Sequence, residues 1–390
     1  MATENNNKTL NVPNLRFPKF SGEWTKTTLG KIGETFKGLT GKSGSDFGQG
    51  SPYITYKSIF DNSKIDLSRV EYVTITDAER KKQTQNEVQY GDIFFTTSSE
   101  TPDEVGMTSV LLDEVKDCYL NSFCFGYRLN SITDVLPEYM RFYLRSNTIR
   151  RRLFVLAQGS TRFNISKGEV MGLTIKLPGT AEQRKIAQLL TMIEDRIATQ
   201  IKIIEKLESL IKGLCQTLFN FEEYTTYFLG DICSITTGKL DANAMVEDGK
   251  YPFFTCAEDV FSIDEYAFDT EALLISGNGA NLGYIHYYNG KFNAYQRTYV
   301  LDKFAIDINY VRLYLESFLK YRIEQEKNSG NTPYIVLGTL SKMKIKVPNT
   351  ITQQKISQSI ASLKEKLSIE KQSLKKYEEQ KKYLLSNLFI

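Results

Sequence analysis

The sequence is poor in the residues that build metal centres and disulfide frameworks. Its 390 residues include one histidine, His286, and an odd number of cysteines with no C-x-x-C pair. One histidine cannot form a His-rich metal site, and the sequence contains no recognisable Ser-His-acid catalytic triad. This cysteine pattern favours a reduced protein with structural thiols and argues against a zinc site. The cysteines are Cys118, Cys124, Cys215, Cys233 and Cys256.

Long apolar runs are also absent. No uninterrupted stretch approaches the length needed to span a bilayer, and the start, Met1 to Asn7, lacks the apolar core of a signal peptide. We therefore expect a soluble, cytoplasmic protein. The net charge is only +3, so a nucleic-acid surface has to be a local patch rather than a field of the whole chain.

The most informative feature is an internal repeat. Residues 176–218 and 346–388 each contain a Pro-containing exit followed by a long amphipathic run. A repeat of this size predicts approximate two-fold symmetry and a binding target that is itself two-sided. The matches at one offset of 170 are Pro178 and Pro348, Gln183 and Gln353, Lys185 and Lys355, and Ile186 and Ile356.

Both amphipathic runs begin with a helix-start signal. Thr180-x-x-Gln183 and Thr350-x-x-Gln353 fit a capping box, with Thr at the N-cap. Apolar residues then recur at the steps of three and four that are typical of a coiled coil. They are Ile186, Leu190, Ile193, Ile197, Ile201, Ile204, Leu207, Ile211, Leu214 and Leu218 in the first run, and Ile356, Ile360, Leu363, Leu367, Leu374, Tyr377, Leu384 and Leu388 in the second, where Glu370 and Lys381 interrupt the seam.

Chain connectivity predicts that the two helices are antiparallel. A helix over 182–218 would be about 55 Å long at ~1.5 Å per residue. The segment between the helices is one compact domain, and antiparallel packing brings the end of the first helix beside the start of the second. We expect a globular lobe at each tip of a rigid spacer.

The globular parts repeat as well, so we call residues 1–179 the first lobe and 220–349 the second lobe. Each combines several strands with one helix, predicted at about 137–156 and 307–327, which indicates the α+β class. The shared landmarks are Leu29-Gly30-Lys31-Ile32 and Leu229-Gly230-Asp231-Ile232, Lys37-Gly38 and Thr237-Gly238, Pro52 to Thr55 and Tyr251 to Thr255, Gly91 to Thr96 and Glu271 to Ser276, and Gly159 to Ile165 and Gly330 to Ile335.

Together these motifs resemble the specificity subunit of type I restriction–modification enzymes. The residues that carry the resemblance are Trp24-x4-Leu29-Gly30, Gly91 to Phe95, Gly159-Ser160-Thr161, Leu177-Pro178 and Glu182-Gln183-x-x-Ile186-Ala187.

The resemblance implies two similar α/β target-recognition domains, separated by two long helices that form an antiparallel coiled coil with pseudo-two-fold symmetry. The two domains would span residues 1–179 and 220–349, and the two spacer helices would span residues 180–219 and 350–390. Each domain would read half of a split double-stranded DNA target. The helices would set the gap and dock two methyltransferase subunits, with restriction (motor–nuclease) subunits joining for cleavage.

The resemblance also implies that the chain is not an enzyme and binds no cofactor itself. S-adenosylmethionine, ATP and Mg would belong to partner subunits, and no metal site is expected in the chain.

DNA contacts require Arg, Lys, amide, hydroxyl and carboxylate side chains on loops. The candidates in the first lobe are Tyr56, Lys57, Thr97, Ser98, Ser99, Gln158, Ser160, Thr161 and Arg162. Those in the second are Lys239, Thr255, Ser276, Asn278, Asn281, Arg297, Asn328 and Asn331. A further basic cluster fits phosphate contact, partner docking or a solvated face equally: Arg141, Arg145, Arg150, Arg151 and Arg152.

Two patterns mimic catalytic motifs. Asn331-Thr332-Pro333-Tyr334 resembles an adenine-methyltransferase tetrapeptide, but it departs at the second position and has no Phe-x-Gly-x-Gly loop. Asp103, Glu114 and Lys116 match the layout of metal-dependent nucleases, which is common by chance. The alternatives that remain are a self-contained endonuclease using those three residues and a protein-binding adaptor.

Overall fold

The computed structural model describes residues 11–326 and 334–390 of the chain. They form two units, one made of residues up to Gln200 together with Ser373–Ile390, and the other of Ile201–Gln372. Each unit combines helices with mostly antiparallel sheets, so the α+β prediction is confirmed.

The first lobe and the helix that follows it contain these elements in chain order: β1 (Thr25–Thr28), α1 (Leu29–Ile32), β2 (Gly33–Lys37), β3 (Phe47–Ile54), α2 (Tyr56–Asp61), β4 (Glu71–Val73), α3 (Asp77–Gln83), β5 (Ile93–Thr96), β6 (Ser98–Ser99), β7 (Thr108–Val110), β8 (Tyr119–Leu120), β9 (Cys124–Leu129), α4 (Pro137–Tyr143), α5 (Asn147–Leu156), β10 (Phe163–Asn164), α6 (Lys167–Met171), β11 (Thr174–Leu177) and α7 (Thr180–Thr217).

The second lobe and the last helix contain β12 (Thr225–Phe228), α8 (Leu229–Ile232), β13 (Ser234–Thr237), β14 (Tyr251–Phe254), β15 (Phe261–Ile263), β16 (Phe268–Ser276), β17 (Ile285–Ala294), β18 (Thr298–Asp302), α9 (Ile308–Gln325), α10 (Leu337–Ser341), β19 (Lys344–Val347) and α11 (Thr350–Asn387).

Each lobe contains an equivalent four-stranded antiparallel sheet. The strand order is β2-β9-β5-β7 in the first lobe. In the second lobe the equivalent strands, β13-β18-β16-β17, form the first four strands of a six-stranded sheet. The second lobe extends this sheet with β14 and β15, where β14 pairs parallel to β17. The first lobe instead places β3, β4 and β8 in a separate sheet. The repeated landmarks thus mark a repeated scaffold with different additions.

A two-stranded ribbon closes each lobe where the chain enters and leaves. Strand β1 pairs with β11, setting Thr25 opposite Leu177. Strand β12 pairs with β19, setting Thr225 opposite Val347. The ribbons place the Leu-Gly helices α1 and α8 beside the Pro-containing exits, which explains why these motifs recur together.

The helix predicted at 137–156 is broken in the structure. Ser146 is buried; its hydroxyl donates to the carbonyl of Tyr143 at 2.7 Å and accepts from the N–H of Ile149 at 3.5 Å. The same side chain therefore ends α4 and caps α5, because Ser competes with the backbone for helical partners. In the second lobe α9 runs unbroken.

The capping boxes predicted at Thr180 and Thr350 are wrong by one residue. The N–H groups of Glu182 and Gln183 donate to the carbonyl of Gly179. In α11 the N–H of Thr352 donates to the side chain of Asn349 at 2.9 Å. The N-cap residues are therefore Gly179 and Asn349. The side chains of Gln183 and Gln353 do not act in capping boxes and make other contacts.

Gln183 and Gln353 join each long helix to its lobe. The amide of Gln183 donates to the carbonyl of Pro178 at 2.9 Å and accepts from the N–H of Leu136, which precedes α4. Gln353 donates to Pro348 at 2.8 Å and accepts from the N–H of Asp307, which precedes α9. The repeated Gln thus fixes the same junction twice.

The long helices pair antiparallel within each unit. In the first unit Glu194 contacts Lys381 at 2.7 Å, and Arg196 lies over the ring of Tyr377. In the second unit Glu208 contacts Lys371 at 2.7 Å. Partner numbers fall in α11 as they rise in α7, as predicted. Lys381, which interrupts the apolar seam, is held by Glu194.

The same aromatic contact fixes the ends of both long helices. In the first unit the ring of Phe389 lies 5.7 Å from Tyr139 and 5.6 Å from Tyr143 of α4. In the second unit the ring of Phe219 lies 5.8 Å from Tyr310 and 5.1 Å from Tyr314 of α9. Each lobe therefore holds the start of one long helix and the end of the other.

Candidate nucleic-acid interface

Four chain segments meet at one edge of the large sheet in the second lobe. A turn at 295–297 lies at its centre. The N–H of Gln296 donates to the carbonyl of Leu240 at 2.9 Å, and the carbonyl of Arg297 accepts from Gly277 at 2.9 Å. We call this surface the second loop edge, and its segments are 238–241, 255–257, 276–284 and 295–297.

The first lobe repeats this arrangement with a turn at 121–123. The N–H of Asn121 donates to the carbonyl of Ile54 at 3.0 Å, and that of Thr97 donates to Phe123 at 3.2 Å. We call this surface the first loop edge, and its segments are 38–40, 55–57, 97–100, 121–123 and 158–165.

Two equivalent glycines let the backbone segments of these edges approach closely. A Cβ on Gly38 would lie 2.0 Å from the carbonyl oxygen of Asn121, and one on Gly238 would lie 1.9 Å from that of Ala294. No side chain fits at such distances, so the repeated Lys37-Gly38 and Thr237-Gly238 motifs reflect packing of the edge itself.

The candidates of the first lobe all lie on the first loop edge. Lys57, Gln158, Ser160, Thr161 and Arg162 are exposed, whereas Tyr56, Thr97 and Ser98 are half-buried. Ser99 is buried, and its hydroxyl donates to Glu104 at 3.0 Å. The structure brings these side chains together, and their individual DNA contacts remain predictions.

A shallow cavity of about 240 Å³ collects several of them. It is lined by Tyr56, Phe60, Ser98, Ser99, Glu100, Glu104 and Arg162. The hydroxyl of Tyr56 donates to the carbonyl of Ser98 at 2.7 Å, and burial raises the pKa of this phenol. The cavity thus offers a cation, hydroxyls and carboxylates, the groups that distinguish base edges.

The described candidates of the second lobe lie on the second loop edge. Lys239 and Arg297 are exposed, and Asn278 is half-buried. Asn281 donates to the carbonyl of Cys256 at 3.3 Å. Two other candidates, Thr255 and Ser276, are buried. Asn328 and Asn331 lie outside the described residues.

The sequence prediction missed two exposed residues at the centre of the edges. Phe123 exposes 68% of its surface, and Gln296 lies exposed beside Arg297, where its amide donates to Asp241 at 2.6 Å. Both residues lie in the turns before β9 and β18. The two turns share no residue types, so the sequence repeat does not reveal that they are equivalent.

The arginine cluster of the first lobe is mostly structural. The guanidinium of Arg145 donates to the carbonyls of Thr108, Ile59, Phe60 and Asn62, and burial lowers its pKa to about 10. These bonds fix α2 and β7 against the helices.

Three other members of the cluster also bind within the first unit. Arg141 pairs with Glu194, Arg150 donates to the carbonyls of Asp103, Val105 and Gly106, and Arg152 donates to that of Thr174. A phosphate-binding or solvated face is therefore wrong for these residues. Arg151 alone of the cluster is exposed.

Strand β7 separates the two nuclease-like carboxylates along the chain. Asp103 lies before this strand, where its carbonyl accepts from Arg150 at 2.6 Å, and Glu114 lies after it. Within 11–326 and 334–390, no group of three or more His, Cys, Asp or Glu is placed to hold a metal ion.

His286 lies in an aromatic patch, as its sequence context suggests. Its ring is 5.2 Å from Phe254 and 4.8 Å from Tyr284. The five cysteines are free. In the described part of the chain, no helix is both long and apolar enough to cross a bilayer.

Comparison with known protein families decides between the remaining interpretations. The family described as the type I restriction modification DNA specificity domain matches residues 21–209 and again 221–379. The chain belongs to this family. The two matches coincide with the two lobe-and-helix repeats, and the endonuclease alternative is not supported.

Curated relatives carry the same description. The chain is 40% identical over 141 residues to the type I restriction enzyme EcoDI specificity subunit of Escherichia coli, a match covering 36% of this chain and 31% of that protein. It is 23% identical to the MjaIX specificity subunit of Methanocaldococcus jannaschii, covering 90% of this chain and 88% of that one. The stronger match thus spans about a third of its relative.

Solved structures share the fold. The type I restriction–modification S subunit from M. genitalium aligns with a TM-score of 0.65 at 19% identity, covering 97% of this chain and 99% of that one. A chain from a study of complex assembly and conformational transition of the type I system aligns with a TM-score of 0.54 at 16% identity, covering 93% and 96%. At these identities the likeness concerns the fold.

Proposed function

We propose that this chain is the DNA-recognition subunit of a type I restriction–modification complex. Each lobe reads one half of a bipartite double-stranded target through its loop edge. The observation that carries the proposal is the repetition of the loop edge on a shared scaffold with different side chains. One scaffold with two different loop sets suits two different half-sequences.

The paired helices set the gap between the half-sequences. Half-sites read from one face of B-DNA lie about one helical turn, or multiples of it, apart. Polar contacts along the seam support a fixed register, since Glu194 holds Lys381 and Glu208 holds Lys371. A fixed register converts helix length into a defined number of base pairs.

The chain supplies recognition, and its partners supply the chemistry. Two methyltransferase subunits dock on the helices, and restriction subunits join through them. S-adenosylmethionine, ATP and Mg belong to those partners. An apolar cavity of about 750 Å³ in the first unit supports protein docking, since Phe17, Leu136, Leu189 and the 58% exposed Met192 are among its lining residues.

Modified-base sequencing tests this proposal. DNA is taken from cells expressing the cognate methyltransferase with this chain and without it. We expect methylated adenines only with the chain, in a motif of two defined halves separated by a fixed undefined gap. An identical methylation pattern in both samples contradicts the proposal.

A salt titration tests the adaptor alternative with the same complex. DNA binding through phosphates gives a negative slope of log affinity against log salt. A protein adaptor would give no salt-dependent DNA binding, and that result also contradicts a recognition role.

A further inference from the structure

Phe123 and Arg297 occupy the same place in the two loop edges. The carbonyl of Phe123 accepts from the N–H of Thr97 at 3.2 Å, and the carbonyl of Arg297 accepts from the N–H of Gly277 at 2.9 Å. Phe123 directly precedes β9 and Arg297 directly precedes β18. These strands are second in the equivalent orders β2-β9-β5-β7 and β13-β18-β16-β17.

The bonds around these two turns also match. The N–H of Asn121 donates to Ile54 at 3.0 Å, and that of Tyr295 donates to Phe254 at 2.9 Å. Each turn closes on itself through a bond to the carbonyl of Asn121 or of Tyr295, at 3.1 Å and 2.8 Å. The backbone of the turn is therefore repeated, while the residue at its tip changes from Phe to Arg.

The first turn holds an apolar ring in water on a fixed backbone. Phe123 is 68% exposed. Its N–H donates to the side chain of Asn121 at 2.7 Å, and its carbonyl accepts from the hydroxyl of Thr97 at 2.6 Å. The hydrogen bonds fix the backbone of the turn, and the exposed ring of Phe123 is therefore available for contact with a ligand.

The second turn presents a cation in the same place. Arg297 is exposed, and a Cβ on Gly277 would lie 2.3 Å from its carbonyl oxygen, so the glycine fixes this approach. Within residues 11–326 and 334–390, the guanidinium has no hydrogen bond or salt bridge. Its donors are available to a ligand.

We propose that this shared turn position reads one base pair in each half-site. Phe123 makes apolar contact with a thymine methyl group in the half read by the first lobe. Arg297 donates two hydrogen bonds to O6 and N7 of a guanine in the half read by the second lobe. This inference rests on the proposed function and names residues through which it acts.

The test is modified-base sequencing with Phe123→Ala and Arg297→Ala, each expressed with the cognate methyltransferase. We expect Phe123→Ala to relax one A·T position in one half and Arg297→Ala to relax one G·C position in the other. In a binding titration, affinity for the original target should fall about 5- to 150-fold for Arg297→Ala, the range for one bidentate base contact, and should also fall for Phe123→Ala. Both side chains are exposed, so neither change removes core packing.

Three further variants sharpen the result. Ile132→Ala and Lys320→Ala remove exposed side chains elsewhere on the two lobes, and both should leave the motif unchanged. Arg297→Lys keeps the charge and loses the planar fork, so it should relax the same position as Arg297→Ala. If Arg297→Lys keeps the motif and Arg297→Ala weakens binding to all sequences equally, Arg297 contacts phosphate and the inference is wrong for it.

Different results would contradict the proposed function and the roles of Phe123 and Arg297. If the unaltered chain directs no bipartite methylation, the proposed function fails. If it directs a bipartite motif that neither Phe123→Ala nor Arg297→Ala alters, or if both changes affect the same half, only the inference fails.

Discussion

The side chain of Gln353 accepts a hydrogen bond from the backbone N–H of Asp307 at 3.3 Å and so ties the first turn of α11 to the start of α9. Gln183 makes the equivalent bond to Leu136 at 2.9 Å. These junctions transmit the position of each lobe to a helix. In the proposed function, these junctions keep the distance between the two half-sites constant.

Replacing Gln353 should loosen this junction. Gln353 is 4% exposed, so Gln353→Ala leaves the carbonyl of Pro348 and the N–H of Asp307 without their partner. We expect a loss of about 1–3 kcal/mol in the free energy of unfolding of the second unit, measured by urea denaturation. The control is the exposed neighbour, Gln354→Ala, which should change stability by less than about 0.5 kcal/mol. Equal effects of the two changes would contradict the role given to Gln353.

Replacing Arg145 should destabilise the first unit and leave DNA contacts of the folded protein intact. Arg145→Ala removes the donors of four backbone carbonyls, which we expect to cost more than about 3 kcal/mol. Hydrogen exchange at α2 and β7 should report the loss. Arg151→Ala, an exposed neighbour, serves as the control. A reduced salt slope of DNA binding with unchanged stability would instead identify Arg145 as a phosphate contact.

Removing Arg128 should give a pH-dependent loss of stability. Asp92 is 0% exposed; burial raises its pKa, and Arg128, at 2.6 Å, counteracts that rise. A carboxyl with a raised pKa keeps its proton in the folded state to a higher pH than in the unfolded state. Its contribution to stability therefore falls as the pH rises through that pKa. Without Arg128 this penalty grows.

We expect Arg128→Ala to cost about 3–5 kcal/mol at pH 8 and clearly less at pH 5, measured by urea denaturation. The double change Asp92→Ala with Arg128→Ala should recover much of the loss at pH 8, because it removes the buried charge. The second lobe already has Ala272 at the position of Asp92. A loss that is the same at both pH values would show that the charge of Asp92 is not its cause.

Lengthening both helices should widen the gap in the DNA target. Twenty-one residues inserted after Glu208 and twenty-one after Lys371 preserve the heptad phase and add about 31.5 Å. At ~3.4 Å per base pair, the gap should grow by about nine base pairs, close to one helical turn of DNA, while both half-sequences stay unchanged. Modified-base sequencing reads this directly. An insertion in one helix alone should abolish methylation, and an unchanged gap in an active double insertion would contradict the spacer role.

The repeated scaffold could be predicted from the sequence because its motifs are local. Leu29-Gly30 and Leu229-Gly230 precede matching strands, and the helix repeats keep one offset. The role of Gln183 could not be predicted, since its partner Leu136 lies 47 residues away. The same sequence also fits a capping box that starts at Thr180, one residue after the observed cap, Gly179.

The sequence located the loops that form the two loop edges, but it did not show which of their side chains are exposed. Loop candidates such as Tyr56, Ser98 and Arg162 do share one cavity. The arginine cluster looked like a surface because its charges are close in sequence, yet the acceptors of Arg145 are carbonyls from α2 and β7. Phe123 was missed because an isolated Phe ordinarily indicates core, and only the folded turn exposes it.

The contact between Phe389 and the tyrosines of α4 has a consequence for synthesis on the ribosome. Tyr139 and Tyr143 are made before the second unit, whereas their partner Phe389 is made after it. The core of the first unit also includes Leu384 and Leu388. The second unit, which ends at Gln372, has all of its residues before the first unit does. Domains usually complete their folding in the order of synthesis; here the unit that begins the chain is the last to close its core.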